Sequence, residues 1–142
     1  MGGPLISHVG IAVVDLEAAI ARFELLLGCK PVFVKEVADQ QVKVAMFTTG
    51  GSGSEEYGGR IELVAGAGPQ SPLCRFIEKR GEGLHHICVY VDDLESKLSQ
   101  LSESGVALID PTPRVGAEGR RVAFVHPRGL NGVLVELEER PG

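Results

Sequence analysis

An internal repeat limits what this 142-residue chain can fold into, because two copies of one unit are expected to fold alike. His8–Glu17 matches His86–Glu95 at a constant separation of 78 residues, with the histidine, the Asp-Leu-Glu triplet and the alternating apolar positions aligned. Two further matches follow at separations of 77 and 74 residues: Val44–Phe47 with Arg121–Phe124, and Ile61–Leu63 with Val135–Leu137. The separation changes only by small loop insertions or deletions, which indicates a tandem duplication.

The first copy predicts one strand, a helix and three more strands. Residues 5–13 alternate between apolar and small or polar side chains, which is typical of a half-buried strand. Asp15 then caps a helix whose apolar positions recur every 3.6 residues and which ends at Gly28. The other strands are expected near 31–37, 42–48 and 60–65.

The second copy repeats this order. It predicts a strand over 85–91, a helix that Asp92 or Asp93 caps and that ends at Gly105, and strands near 106–110, 121–125 and 133–138. Between the copies, Ser71 and Pro72 open a short helix that ends at Gly81, since proline suits the first helical position.

These elements predict a single domain over 1–142, made of module 1 (about 4–68), a linker helix (about 71–81) and module 2 (about 84–140). The fold class is α+β, with two tandem βαβββ modules forming a curved, incompletely closed, eight-stranded mixed sheet around a shared cavity. Each module is too small to bury its own sheet face and needs its twin to do so.

Composition excludes several classes of partner. The chain has 14 Lys and Arg against 19 Asp and Glu, so it lacks the basic surface that nucleic acid requires. Its longest apolar runs are far shorter than the roughly 20 residues that cross a bilayer, so we expect no membrane segment. The three cysteines are an odd number and lack the spacing of a metal-binding motif. They favour a reduced, cytoplasmic setting, or an organelle matrix if a targeting segment has been removed.

Two loop segments are interpreted as turns. The glycine-rich segment 50–59 has neither the Lys-Ser/Thr pair nor the following helix of a phosphate-binding loop, and it is expected to be an open hairpin connection. His126–Gly132 lies between two predicted strands and has the composition of a turn.

The repeat also pairs four residues that can carry chemistry: His8 with His86, and Glu62 with Glu136. Any one of them alone is more simply a half-buried strand residue or a glutamate on a solvated face. As pairs, two imidazoles and two carboxylates converging on one cavity match the ligand set of a divalent Co, Mn, Ni, Zn or Fe ion.

His85 is the neighbour of His86, and only one of the two can face the cavity because adjacent strand residues point to opposite faces. The repeat selects His86, whereas His85 aligns with Ser7. His85 is therefore expected to support the site from behind or to serve the packing.

These residues resemble the vicinal oxygen chelate superfamily, also called the glyoxalase/bleomycin resistance superfamily, and within it the methylmalonyl-CoA epimerases. The resemblance spans almost the whole chain. Its carriers are His8-Val-Gly-Ile-Ala-Val with Asp15-Leu-Glu-Ala-Ala, then Gly83-Leu-His-His-Ile-Cys88 with Val91-Asp-Asp-Leu, and finally Phe124-Val-His-Pro-Arg128 with Gly132-Val-Leu-Val-Glu-Leu-Glu138.

The resemblance implies an isomerase that interconverts the (R) and (S) forms of methylmalonyl-CoA through a metal-stabilised enolate, with an acyl-CoA substrate and a homodimeric assembly. The metal ligands carried over are His8, Glu62, His86 and Glu136. Glu136 is then the first acid/base group. Some family members have a second glutamate at the position of Val44 and glutamine at that of Glu62, so Glu62 is hypothesised to act as the opposite base.

Two alternatives stay open from the residues and the resemblance. The His/Glu/His/Glu set is also that of glyoxalase I, a lactoylglutathione lyase that isomerises a glutathione hemithioacetal. The other alternative is a non-catalytic small-molecule binding protein of the same superfamily.

Overall fold

The computed structural model describes residues 4–50 and 59–140, so most of the glycine-rich segment 50–59 lies outside the described residues. The chain divides into two compact units. One is Val9–His85, and the other joins the residues up to His8 with those from His86 onward. The division into two modules with a linker helix stays a prediction.

Within the described ranges, eight strands and three helices occur in the predicted order, and the α+β class with an eight-stranded mixed sheet is confirmed. The elements are β1 (Leu5–Ala12), α1 (Leu16–Leu27), β2 (Phe33–Val37), β3 (Val42–Thr48), β4 (Arg60–Gly66), α2 (Pro72–Arg80), β5 (Gly83–Val91), α3 (Leu94–Glu103), β6 (Arg114–Val115), β7 (Arg121–Val125) and β8 (Val135–Glu139). Among the described residues, no helix is long and apolar enough to cross a membrane.

In the unit Val9–His85 the strand order is β2-β3-β4-β1, with β4 parallel to β1 and antiparallel to β3. Asp15 starts α1 by accepting the N–H of Ala18, and Gly28 ends it with φ 72°, a conformation that glycine adopts without strain. The helix packs on one face of the sheet, over a core that includes the fully buried Phe47 and Leu63.

In the other unit β8 lies between β5, to which it is parallel, and β7, to which it is antiparallel. Asp93 caps α3 by accepting the N–H of Ser96, which decides between the two predicted caps. The helix packs on the aliphatic face of these strands, around the fully buried Leu94 and Val125.

Strand register supports the duplication in each unit. Glu62 of β4 pairs with Gly10 of β1, and Glu136 of β8 pairs with Cys88 of β5, at the separations of 74 and 78 residues that the repeat predicts. The third strand corrects the sequence alignment by one residue. Met46 is the partner of Glu62, while Phe124 is the partner of Glu136, so Met46 rather than Phe47 corresponds to Phe124.

This one-residue difference matters because it exchanges the two faces of a strand. Phe47 lies on the face that α1 covers, with its ring centroid 6.3 Å from that of Phe23. Phe124 lies on the other face, 6.1 Å from the ring of His86. The sequence match of Phe47 with Phe124 therefore pairs two side chains that lie in different surroundings.

The strand predicted over 106–110 is wrong in position. The observed β6 is Arg114–Val115, and Leu108 makes only an isolated bridge to Val125. Pro111 and Pro113 lack the N–H that a continuous ladder requires. The backbone N–H of Phe124 donates to the carboxylate of Asp110 at 2.8 Å. A carbonyl of a neighbouring strand therefore cannot take this hydrogen bond.

The segment His126–Gly132 forms the predicted turn. It contains a short 3₁₀ helix, Pro127–Leu130, in which Nδ1 of His126 accepts the N–H of Arg128 at 2.9 Å. Asn131 ends this helix with φ 59°. His126 therefore serves the local backbone.

The burial of Leu63 predicts a large loss of stability on truncation. Leu63→Ala should lower the free energy of unfolding by about 2–5 kcal/mol, because its side chain is 0% exposed and a cavity would remain. Leu25→Ala is the matched control, since Leu25 is 87% exposed and should change stability by less than about 0.5 kcal/mol. Urea denaturation followed by circular dichroism measures both, and similar losses would contradict the packing described.

Candidate metal centre

Strand alternation gathers four chemically active side chains on one face of the unit that contains β5 and β8. The aliphatic residues of both strands pack in the core cluster with α3. The intervening residues His86 and Cys88 on β5, and Glu136 and Glu138 on β8, therefore face away from that helix. This arrangement puts imidazole, thiol and carboxylate groups on the same buried surface.

Three side chains of this unit meet at short distances. Nε2 of His8, from β1, lies 3.3 Å from Nε2 of His86. Oε1 of Glu136 lies 3.4 Å from each of these two nitrogens. All three residues are buried, with exposed fractions of 3%, 7% and 8%. The two imidazole rings meet edge to face, with their centroids 5.3 Å apart.

The spacing of these atoms fits a shared divalent cation. Ligand atoms that bind one ion at about 2.0–2.2 Å stand about 3–3.5 Å from each other. Imidazole nitrogens and a carboxylate oxygen are ligands that first-row divalent metals accept. Burying a carboxylate is also costly unless it is paired, and a cation would compensate for that cost. His8, His86 and Glu136 could therefore hold a metal ion.

A second group, His8, Cys88 and Glu138, also has its potential ligand atoms within 4.8 Å of one another. Burial raises the pKa of the Cys88 thiol far above its ordinary value, and the charges of Glu136 and Glu138 raise it further. Its S–H group donates to Oε1 of Glu138 at 3.5 Å. Hydrogen bonds join the three residues of this second group, since Glu138 accepts from both Cys88 and Ser7 and Ser7 also contacts His8, so we describe the group as a hydrogen-bond network.

Glu138 is the centre of that network and is 3% exposed. Oε1 accepts the hydroxyl proton of Ser7 at 3.1 Å, and Oε2 accepts from the guanidinium of Arg120 at 3.2 Å. Burial lowers the pKa of Arg120, but its hydrogen bond to Glu138 and the charge of Glu118 outweigh that effect and raise the pKa overall. Ser7 also contacts His8, with Oγ 3.0 Å from Nδ1.

Glu62 lies on β4, in the unit Val9–His85, and is 6% exposed. Strand alternation and register put its side chain on the same face as those of Met46 and Val44, opposite the face that α1 covers. Its role as a fourth metal ligand stays a prediction from the repeat.

His85 packs against a helix. Its ring meets that of Phe76, on α2, edge to face at a centroid distance of 4.7 Å. This contact fits the structural role expected from its alignment with Ser7.

Sequence reasoning did not identify Cys88, Glu138 and Arg120 as part of this region, and it used Ser7 only as the repeat partner of His85. A signal was present for two of them. Cys88 follows His86 by two residues and Glu138 follows Glu136 by two, so strand alternation puts each beside a predicted ligand. Arg120 gave no such signal, because it precedes β7 and reaches Glu138 only in the folded chain.

Comparison with known proteins assigns the chain to a family. Residues 7–124 match the family model of the Glyoxalase/Bleomycin resistance protein/Dioxygenase superfamily. The chain is 40% identical over 137 residues to the protein YqjC of Bacillus subtilis, covering 96% of this chain and 93% of the relative. It is 38% identical over 136 residues to the ethylmalonyl-CoA/methylmalonyl-CoA epimerase of Cereibacter sphaeroides, covering 94% and 96%.

A solved structure agrees with these relatives. The crystal structure of methylmalonyl-CoA epimerase from Mycobacterium tuberculosis superposes with a TM-score of 0.86 at 34% identity, covering 96% of this chain and 88% of that one. The expected enzyme class, an isomerase of the racemase and epimerase type, is confirmed by these relatives. The chain belongs to the glyoxalase/bleomycin resistance protein/dioxygenase superfamily, as the resemblance in its sequence predicts.

Proposed function

We propose that this enzyme is a metal-dependent epimerase that interconverts the (R) and (S) forms of methylmalonyl-CoA or of a close acyl-CoA analogue. The observation that carries the proposal is the buried triangle of His8 Nε2, His86 Nε2 and Glu136 Oε1, with sides of 3.3 and 3.4 Å. The similarity to an ethylmalonyl-CoA/methylmalonyl-CoA epimerase suggests the substrate class. A homodimeric assembly stays a prediction from the same resemblance.

His8, His86 and Glu136 would hold a divalent cation, and Glu62 is proposed as the fourth ligand. The support for Glu62 is its register, since it pairs with Gly10 as Glu136 pairs with Cys88 in the second copy. Two imidazoles and two carboxylates accept Co, Mn, Ni, Zn or Fe ions, and metal availability decides among them.

The chemistry of the bound cation would be that of a Lewis acid, which draws electron density from the carbonyl oxygens beside the reacting carbon and makes its proton more acidic. The chain itself must move the proton. Inversion requires that one group removes the α-proton and that a proton is delivered to the opposite side of the carbon. We propose the carboxylate of Glu136 as one of these two groups.

Glu62 is proposed as the other. Some epimerases of the family have a glutamate at the position of Val44, but the isopropyl side chain of Val44 has no proton to exchange. Val44 is 3% exposed and shares its sheet face with Glu62. Glu62 therefore provides an exchangeable carboxylate on a sheet face where the side chain of Val44 has none.

The charge of Glu62 also favours a second candidate, a glyoxalase-I-like lyase, because a set of two histidines and two glutamates suits that reaction as well. The third possibility, a binding protein without catalysis, has less support. A binder has no need for a buried triangle of two imidazoles and a carboxylate, which costs stability unless it is compensated.

Metal binding should depend on His86 and not on its neighbour. His86→Ala should weaken Co²⁺ affinity by more than about 100-fold. Losing a residue that only orients a metal ligand already costs up to about 100-fold, and losing the ligand itself should cost more. His85→Ala is the matched control and should leave affinity unchanged, because His85 packs on Phe76. Calorimetric titration of the metal-free variants measures this, and equal affinities for the two variants would contradict the metal centre.

The purified enzyme should exchange the α-proton of methylmalonyl-CoA with deuterated water. Chelation of the metal should abolish the exchange, and adding back a divalent ion should restore it. Mass spectrometry of the thioester follows the exchange directly. Activity on a glutathione hemithioacetal alone would favour the lyase, while no metal and no exchange would leave only the binding protein.

The two proposed acid/base groups can be tested by removing each in turn. Glu136→Gln and Glu62→Gln should each lower kcat by about 100- to 10,000-fold, since positioned proton transfer contributes that much. Glu17→Gln, on the exposed side of α1, is the control and should keep full turnover. Glu62 would lose its proposed role if Glu62→Gln retained both wild-type metal affinity and wild-type turnover.

A further inference from the structure

Four buried or half-buried groups form a continuous chain of contacts that ends on one imidazole. Arg120 donates to Oε2 of Glu138 at 3.2 Å, and the hydroxyl of Ser7 donates to Oε1 of the same carboxylate at 3.1 Å. Oγ of Ser7 lies 3.0 Å from Nδ1 of His8. On the opposite side of the ring, Nε2 of His8 faces His86 and Glu136.

The direction of each hydrogen bond follows from the number of protons available. A serine hydroxyl has one proton, and the carboxylate of Glu138 can only accept. Once that proton points to Glu138, Ser7 Oγ can meet His8 Nδ1 only as an acceptor. The proton in this contact must therefore belong to Nδ1. A neutral imidazole has one N–H, so Nε2 then keeps its lone pair.

We propose that Glu138 and Ser7 act as positioning residues that hold His8 in the Nδ1–H tautomer and keep Nε2 ready to bind a metal. This inference deepens the proposed function, on which it rests for the presence of the metal. Arg120 contributes by neutralising Glu138, whose side chain is only 4% exposed, with a guanidinium that is 33% exposed. The network thus connects the protein surface to the outer edge of a metal ligand.

The first copy of the repeat shows that the fold itself does not need this network. Its equivalents of Glu138 and Cys88 are Val64 and Gly10, at the same register positions of β4 and β1. The equivalent strands form the same pairs without a carboxylate or a thiol at these two sites. Strand pairing therefore does not explain why the second copy has a buried glutamate at position 138. Its effect on the tautomer of His8, through Ser7, does explain it.

Nitrogen-15 NMR of the metal-free, full-length protein tests the inference, because it distinguishes protonated from unprotonated imidazole nitrogens. At alkaline pH, His8 should carry its proton on Nδ1, and the His8 signal is identified by its loss in His8→Asn. Ser7→Ala and Glu138→Met should shift the ring toward the Nε2–H tautomer. Both variants should also weaken Co²⁺ binding by about 10- to 100-fold, the usual effect of losing a group that orients a metal ligand.

Two variants serve as controls. Ser7→Thr keeps the hydroxyl and should retain the wild-type tautomer and affinity. Cys88→Ala removes a thiol that contacts both Glu138 and Ser7 but leaves the hydrogen bond from Ser7 to Glu138 in place. It should therefore leave the tautomer unchanged while reporting any general effect of altering this buried region.

The wild-type spectrum is decisive by itself if a variant fails to fold. A His8 protonated on Nε2, or a Ser7→Ala variant with an unchanged tautomer, would overturn the inference. Because the measurement uses neither metal nor substrate, it can succeed while the epimerase assay fails, or fail while that assay succeeds.

Discussion

The parallel pairing of β8 with β5 is the interaction on which the metal centre depends. It sets Cys88 opposite Glu136 and leaves His86 two residues away on the same face. The aliphatic residues between them pack against α3, and this packing fixes which face each carboxylate occupies. A slip of one residue would drive Glu136 and Glu138 into the helix-covered core, where unpaired carboxylates are costly.

His8 joins this arrangement from the other end of the chain. It belongs to the first repeat by sequence, yet the residues up to His8 group with the second half of the protein in the fold. Its ring uses both edges, with Nε2 toward His86 and Glu136 and Nδ1 toward Ser7. One imidazole therefore connects the candidate metal centre to the network of Ser7, Glu138 and Arg120, which makes it the residue on which both proposals converge.

The two copies share their framework and differ in chemistry. Register is the same where Glu62 pairs with Gly10 and Glu136 with Cys88. The surroundings differ, since Glu62 has Met46 beside it where Glu136 has Phe124. The duplication explains why each copy offers a histidine and a glutamate at equivalent positions. Divergence after duplication explains why the hydrogen-bond network occupies positions that hold Val64 and Gly10 in the first copy.

The sequence by itself determined the repeat, the order of the elements, both aspartate caps to within one residue and the pairing of His8 with His86. These features depend on periodicity and local chemistry, which a sequence records directly. The sequence misplaced β6 and matched Phe124 with Phe47 instead of Met46 in the first copy of the repeat. Both errors arose because the proline-rich segment after Asp110 and the register of β7 depend on contacts across the sheet. The sequence also predicted that Glu136 lies with both imidazoles, whereas only the tertiary structure decided that Glu138, Ser7 and Arg120 form one network beside His8. The contact between Ser7 and Glu138 joins residues 131 positions apart, and its distance is set by strand pairing that no local pattern contains.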